Sequence, residues 1–152
     1  MSAAPILLVE DDENDVFFFE RALKRAGCTH PVHVARDGEE AIAYFTKAGA
    51  AADRASRLPL PCLTLLDLDL PRMAGLEVLE WIREHMADLT VPVIVLTAST
   101  SKRAMREAYR LGAKSCLLKP SHPDELVKLV QALKGYWSTE EPGGLPNNFR
   151  ER

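Results

Sequence analysis

The stretch LTLLD, residues 63–67, is a short apolar run that ends on an acid. Three further runs have the same form: ILLVED at 6–11, VIVLT at 93–97 and CLLKP at 116–120. Short apolar runs bounded by turn residues are typical of strands buried inside a parallel sheet. Because parallel strands end at one edge, where open α/β sheets bind ligands, the four endings are expected to meet in space.

Amphipathic helical patterns separate these runs, and a further strand is expected at 32–35. The alternation of strand and helix predicts an α/β protein with a doubly wound, five-stranded parallel sheet. For so few strands we expect the flavodoxin-like (βα)5 order 2-1-3-4-5, with its ligand site beside the first and third strands. The last helix is predicted to begin at Pro123 and to run to about Trp137.

Length and composition favour a single soluble domain. The chain has 152 residues and a formal net charge of −3, which gives no general attraction to nucleic acid or to an anionic membrane. Residues 1–137 are expected to form the domain, and 138–152 a flexible C-terminal tail with no output domain.

The expected location is the cytoplasm. The N-terminus does not resemble a signal peptide, and no apolar run approaches the ~20 residues that a membrane span needs. Three cysteines, Cys28, Cys62 and Cys116, lack metal-ligand spacing and are interpreted as free thiols in a reducing cytosol.

The strand endings carry the chemistry of a cation-assisted phosphate site. Glu10, Asp11 and Asp67 crowd carboxylates together, which a divalent cation such as Mg²⁺ would compensate. An aspartate oxygen can then act as nucleophile on a phosphoryl group, and Lys119 supplies a second positive charge. Thr97 is expected to donate a hydrogen bond to a phosphate oxygen.

Each of these residues alone also has an ordinary explanation. The acids at 10–12 could be the solvated start of a helix, and Asp67 a strand-end cap. Thr97 could be a turn hydroxyl, and Lys119 a surface lysine. Their occurrence together, in order, on four strand ends favours the phosphate site.

Four motifs carry a resemblance to a known family. LVEDD at 8–12, LDLDLPRMAGLE at 66–77, VLTA at 95–98 and LKP at 118–120 resemble the motif set of the receiver domains of two-component response regulators. The resemblance extends from residue 5 to about residue 135. It implies that Asp67 accepts a phosphoryl group from a sensor histidine kinase and becomes an aspartyl phosphate.

The resemblance also implies a role for each site residue. Glu10 and Asp11 would hold Mg²⁺, or Mn²⁺ as a substitute, together with Asp67 and the backbone carbonyl of Asp69. Thr97 and Lys119 would contact the phosphate. The Lys119–Pro120 bond would be cis, an isomer that is accessible mainly before proline.

Finer details are similar to the single-domain regulators that serve phytochrome-type, light-sensing kinases. These details are the DGEEA turn at 37–41, the lengthened region before the third strand, and a final helix ending near residues 136–137. The alternative is a stand-alone receiver that serves another kinase or acts as a phosphate sink or shuttle.

Two positions depart from the family pattern. Ala74 stands where an aspartate is usual, at a position that is not a ligand. Cys116 occupies the switch position, where the family usually has a tyrosine or phenylalanine whose burial accompanies activation. With a thiol at this position, the chain lacks the ring on which that part of the family's switch depends.

The surface pattern suggests two interfaces. A homodimer is expected through the fourth helix, the fifth strand and the fifth helix, although a solvated basic face explains the fourth helix equally well. The candidate residues are Arg103, Arg106, Arg110, Asp124, Leu129 and Tyr136. Phe17 and Phe18 are expected to help dock the kinase, or else to pack under a neighbouring loop.

A remote alternative is a phosphatase of the haloacid-dehalogenase type, because Asp67-Leu68-Asp69 superficially fits its motif. That motif lies on the first strand of its family, whereas here it follows the third. The chain is therefore interpreted as a phosphoacceptor, not an enzyme with a separate substrate, whose output passes through contacts with an unidentified protein.

Overall fold

Strands and helices alternate along the chain as the sequence pattern predicts. The computed structural model describes residues 4–49, 55, 57–87, 91–98 and 101–137. The strands are β1 Ile6–Val9, β2 Val32–Ala35, β3 Leu63–Asp67, β4 Val93–Thr97 and β5 Ser115–Leu118. The helices are α1 Glu13–Arg25, α2 Gly38–Ala48, α3 Gly75–His85, α4 Lys102–Arg110 and α5 Pro123–Ala132, after which Lys134–Tyr136 form a 3-10 turn. The predicted tail at 138–152 lies outside the described residues.

All strand pairs in the sheet are parallel, and their order is β2-β1-β3-β4-β5. This confirms the predicted flavodoxin-like order. The central strands β1, β3 and β4 are buried along their whole length, as expected when helices cover both faces of a sheet. The register pairs Val9 with Leu66 and Asp67 with Leu96, so the carboxyl ends of the central strands lie side by side.

Alternate side chains of each strand point to opposite faces of the sheet. Leu7 and Val9 on β1 belong to a core that α2, α3 and α4 cover. Ile6 and Leu8 belong to a second core, which α1 and α5 cover. Helices α1 and α5 therefore lie on the same face of the sheet. Helix α1 begins at the carboxyl-terminal edge of the sheet, which is also where β5 ends.

The last helix buries more of its apolar residues than expected. Four side chains recur at helical spacing and face the core: Leu126, Leu129, Val130 and Leu133. The prediction that Leu129 lies at an interface is wrong, because it is 0% exposed and this stripe fits between the sheet and α1. Tyr136 is half-buried against the same core, since α5 ends at Ala132 and the chain then tightens into the 3-10 turn.

No helix among the described residues has both the length and the apolar character needed to cross a bilayer.

Candidate functional site

Four strand ends bring the predicted site residues to one edge of the sheet. Glu10 follows β1, while Asp67 and Thr97 are the last residues of β3 and β4. All three residues are almost completely buried. Lys119 follows β5, and its backbone N–H donates to the Thr97 carbonyl oxygen at 2.9 Å.

Helix α1 begins at this edge because Asp12 caps it. The Asp12 Oδ1 accepts hydrogen bonds from the backbone N–H groups of Asn14 at 2.8 Å and Asp15 at 3.2 Å. A carboxylate at this position satisfies N–H groups that have no partner within the helix. The cap leaves Glu10 and Asp11 in the turn between strand and helix.

Glu10, Asp11 and Asp67 provide the oxygen ligands that a hard cation requires. One carboxylate oxygen from each lies within 4.8 Å of the other two, and no other three-residue cluster of this kind occurs among the described residues. Asp11 is exposed whereas Glu10 and Asp67 are buried, so the cluster is open to solvent on one side. An all-oxygen cluster with an open side fits a divalent cation that keeps part of its water shell.

The Lys119 ammonium lies among three carboxylates. Its Nζ is 2.6 Å from Glu10 Oε1, 3.0 Å from Asp15 Oδ2 and 3.3 Å from Asp67 Oδ2. An ammonium group has three N–H donors, so each carboxylate can accept one. The sequence pattern does not predict the contact between Asp15 and Lys119, because that contact depends on how α1 lies over the sheet.

Burial and these ion pairs shift the proton affinities of the site. Burial raises the pKa of Glu10 to about 7; Lys119 opposes this rise, and the charge of Asp67 adds to it. Burial lowers the pKa of Lys119, but its hydrogen bonds to Glu10 and Asp15, together with the negative charges of Asp67 and Glu10, raise that pKa by more, so it lies above its ordinary value. Lys119 therefore stays charged at neutral pH, while Glu10 exchanges a proton there.

The backbone around Asp67 is tightly packed. The Asp69 N–H donates to Asp67 Oδ1 at 3.0 Å, and the Gly75 N–H donates to the Leu68 carbonyl at 3.1 Å. A Cβ atom on Gly75 would lie 2.6 Å from the Asp67 carbonyl oxygen, so only glycine lets α3 begin this close to β3. Ala74 is the N-cap of α3 and makes no capping hydrogen bond with its side chain.

The expected cis bond before Pro120 is absent. The described residues contain no cis peptide bond, so the Lys119–Pro120 bond is trans. Trans is the more stable isomer by about 0.5–1 kcal/mol even before proline. In this trans conformation Lys119 already reaches Glu10 and Asp67.

An aromatic side chain from α4 contacts the backbone of Cys116 on β5, which the sequence comparison predicts to be the switch position. Cys116 is fully buried, and its backbone N–H donates to the hydroxyl oxygen of Tyr109 at 3.0 Å. Tyr109 remains 45% exposed. The sequence pattern does not predict this contact, because Tyr109 and Cys116 lie on separate elements.

The remaining interface candidates lie mostly on the surface. Phe17 and Phe18 are 58% and 38% exposed, and their ring centroids are 5.5 Å apart in an edge-to-face arrangement. Arg103 and Arg106 are exposed on α4.

Two further interface candidates form ion pairs within the chain. Arg110 binds Glu107 of its own helix, and Asp124 lies 3.6 Å from Arg25. Exposed pairs such as these contribute little to stability, so both residues can exchange partners.

The chain is similar to known proteins over most of its length, and these proteins agree on its family. A family model described as the response regulator receiver domain matches residues 6–131. The probable methanogenesis regulatory protein FilR2 of Methanothrix harundinacea is 38% identical over 132 residues, which are 87% of this chain and 82% of that protein. Response regulator Rcp1 of Synechocystis is 34% identical over 132 residues, which are 87% of each chain.

Solved structures with similar folds include two cyanobacterial proteins. The phosphorylated cyanobacterial phytochrome response regulator RcpA has a TM-score of 0.78 at 31% identity, covering 92% of this chain and 97% of its own. The Mn²⁺-bound form of Rcp1 has a TM-score of 0.76 at 32% identity, covering 94% of this chain and 99% of its own. The residues matched by the family model include every strand end from Glu10 to Lys119.

Proposed function

Because the chain belongs to the response regulator receiver domain family, we propose that Asp67 is its phosphoacceptor in a two-component phosphorelay. The observation that carries this proposal is the placement of Asp67. Its carboxylate lies in the cluster with Glu10 and Asp11, and its Oδ2 is 3.3 Å from Lys119. A nucleophilic oxygen thus lies beside positive charge that can stabilise a transferring phosphoryl group.

In the proposed reaction, a carboxylate oxygen of Asp67 attacks the phosphorus atom of a phosphohistidine on the kinase. The phosphorus–nitrogen bond breaks, its electron pair stays on the imidazole nitrogen, and that nitrogen takes up a proton from solvent. Lys119 and Thr97 bind oxygens of the phosphoryl group. The chain acts as phosphoacceptor, not as an enzyme with a separate substrate.

Glu10, Asp11 and Asp67, with the backbone carbonyl of Asp69, would hold Mg²⁺, for which Mn²⁺ can substitute. The bound ion supplies positive charge to the phosphoryl oxygens. The donor set supports this assignment, because it consists of oxygen atoms only and has one open side.

The proposed partner is a sensor histidine kinase of the phytochrome type. RcpA is described as a phytochrome response regulator, and it is similar to this chain over most of its length. Phe17 and Phe18 present exposed aromatic surface on α1, which begins beside the site, and we propose that they contact the kinase. Cys28, Cys62 and Cys116 form no disulfide bond with one another, which supports a reducing, cytoplasmic setting for this exchange.

Phosphotransfer profiling tests the proposal. Each purified sensor kinase of the source organism is first autophosphorylated with ATP that carries a labelled γ-phosphoryl group. The labelled kinase is then mixed with the wild type, Asp67→Asn or Glu84→Gln. Glu84 is an exposed carboxylate on α3 and serves as the matched control. Label should pass to the wild type and to Glu84→Gln, preferentially from a phytochrome-type kinase, and transfer to Asp67→Asn would refute the assignment.

We also propose a homodimer through α4, β5 and α5. Tyr109 and Leu118 are large apolar residues that stay exposed on α4 and β5, and α4 also carries the exposed Arg103 and Arg106. Light scattering with and without beryllofluoride, a phosphoryl mimic, measures the mass. Arg106→Glu should weaken the dimer, whereas Arg36→Glu, beside the opposite edge strand β2, should not. A monomer in both states would contradict the proposal.

A further inference from the structure

Lys119 has one carboxylate partner that lies outside the cation cluster. Its Nζ contacts Glu10 at 2.6 Å, Asp15 at 3.0 Å and Asp67 at 3.3 Å. Glu10 and Asp67 belong to the cluster that could hold a metal ion, whereas Asp15 does not. Of its three partners, Asp15 is therefore the one that a bound cation would not engage.

The position of Asp15 is fixed by the start of α1. Its backbone N–H is bound by the Asp12 cap at 3.2 Å, and the next residue, Val16, is buried in the core. The Asp15 side chain is 35% exposed, so it stays hydrated while it contacts Lys119. Its carboxylate thus loses less hydration than the buried carboxylates of Glu10 and Asp67 do.

A bound cation and Lys119 would share the same two carboxylates, those of Glu10 and Asp67. A divalent ion held by Glu10 and Asp67 weakens the hydrogen bonds that these two carboxylates accept from the ammonium. A partly buried ammonium that loses two acceptors is destabilised unless another acceptor remains. Asp15 is the acceptor that remains.

We propose that Asp15 is a positioning residue that holds the Lys119 ammonium beside Asp67 while a divalent cation occupies Glu10 and Asp67. This inference rests on the proposed phosphoacceptor function. Asp15 touches neither the phosphoryl group nor the cation, and it acts through Lys119. The charge of Lys119 then stays available for the incoming phosphoryl group when the cation is bound.

The competing explanation is that Asp15 only adds negative charge near the N-terminus of α1, where acids are favourable in any helix. Glu13 shares that property: it lies in the same turn and is exposed, and its carboxylate lies 3.9 Å from Arg36. Glu13→Gln therefore removes the same charge without changing a partner of Lys119.

A double-mutant cycle on metal affinity separates the two explanations. Calorimetry measures the Mg²⁺ dissociation constant of the wild type, Asp15→Asn, Lys119→Met and the double variant. Circular dichroism confirms that each variant is folded. Asp15→Asn should raise the dissociation constant about fivefold in the wild-type background and less than about twofold in the Lys119→Met background. Asp15→Glu should restore most of the affinity, and Glu13→Gln should change it little.

Equal effects of Asp15→Asn in the two backgrounds would overturn the inference, because the loss would then be independent of Lys119. An effect of Glu13→Gln as large as that of Asp15→Asn would overturn it as well. Wild-type protein that does not bind Mg²⁺ would overturn the proposed function together with this inference. Binding by the wild type without coupling between Asp15 and Lys119 would overturn the inference alone.

Discussion

Lowering the pH from 8 to 6 is expected to weaken Mg²⁺ binding about tenfold, because Glu10 must lose a proton before it can bind a cation. Burial raises the pKa of this carboxyl to about 7. Glu10 is therefore about nine-tenths ionised at pH 8 and about one-tenth ionised at pH 6. The apparent affinity follows the ionised fraction.

The assay is a direct calorimetric titration with Mg²⁺ at each pH. Phosphoryl transfer is unsuitable as the readout, because phosphoryl donors themselves ionise between pH 6 and 8. Glu10→Gln should bind more weakly and lose most of the pH dependence between 6 and 8, whereas Glu13→Gln should keep it. A dissociation constant that is the same at both pH values in the wild type would refute the reasoning. It would mean that Glu10 is ionised throughout or is not a ligand.

The raised pKa of Glu10 also predicts how the stability of the metal-free protein depends on pH. The pKa of Glu10 is higher in the folded state than its ordinary value of 4.5, so the folded protein binds this proton more tightly. The resulting stabilisation is present in full below pH 4.5 and is lost as the pH rises through about 7. A rise in pKa from 4.5 to about 7 corresponds to about 3 kcal/mol. The free energy of unfolding of the wild type relative to Glu10→Gln should fall by about this amount over the interval.

Four substitutions extend these tests. Asp69→Asn removes a negative charge two residues after the proposed phosphoacceptor Asp67 and should change the phosphoryl half-life, measured by loss of label; an unchanged half-life would contradict this. Thr64→Val should raise the free energy of unfolding by about 1 kcal/mol, because the buried Thr64 hydroxyl has no hydrogen-bond partner among the described residues. Gly75→Ala should lower it by about 1–3 kcal/mol in urea denaturation, since the new Cβ would lie 2.6 Å from the Asp67 carbonyl oxygen. Ala74→Asp should add a capping side chain to α3 and raise stability by about 1 kcal/mol, and no gain would show that the cap is not limiting.

The fold and most of the site could be predicted from the sequence because both depend on local patterns. The runs ending at Asp67 and Thr97 identify buried strands, and the helices between them require parallel pairing. Parallel pairing brings the carboxyl ends of the strands together, and this does not depend on the conformation of the loops. The meeting of Glu10, Asp67 and Lys119 follows from that geometry alone.

The identity of the side-chain partners depends on tertiary packing. Leu129 was expected on an outer surface, but α1 and the sheet enclose it. Tyr109 reaches the backbone of Cys116 because α4 lies against β5, and no spacing in the sequence specifies that contact. Periodicity shows that a helix has an apolar face, but not which element covers it.

The sequence by itself determined which residues stand at the strand ends and which chemistry they carry. The tertiary structure decided how Lys119 is held: by Asp15, which lies 104 residues away, as well as by Glu10 and Asp67. The physical reason is that strand ends are aligned by backbone hydrogen bonds, which are independent of side-chain identity. The contact between Lys119 and Asp15 is instead set by side-chain packing, which places α1 and α5 on the same face of the sheet.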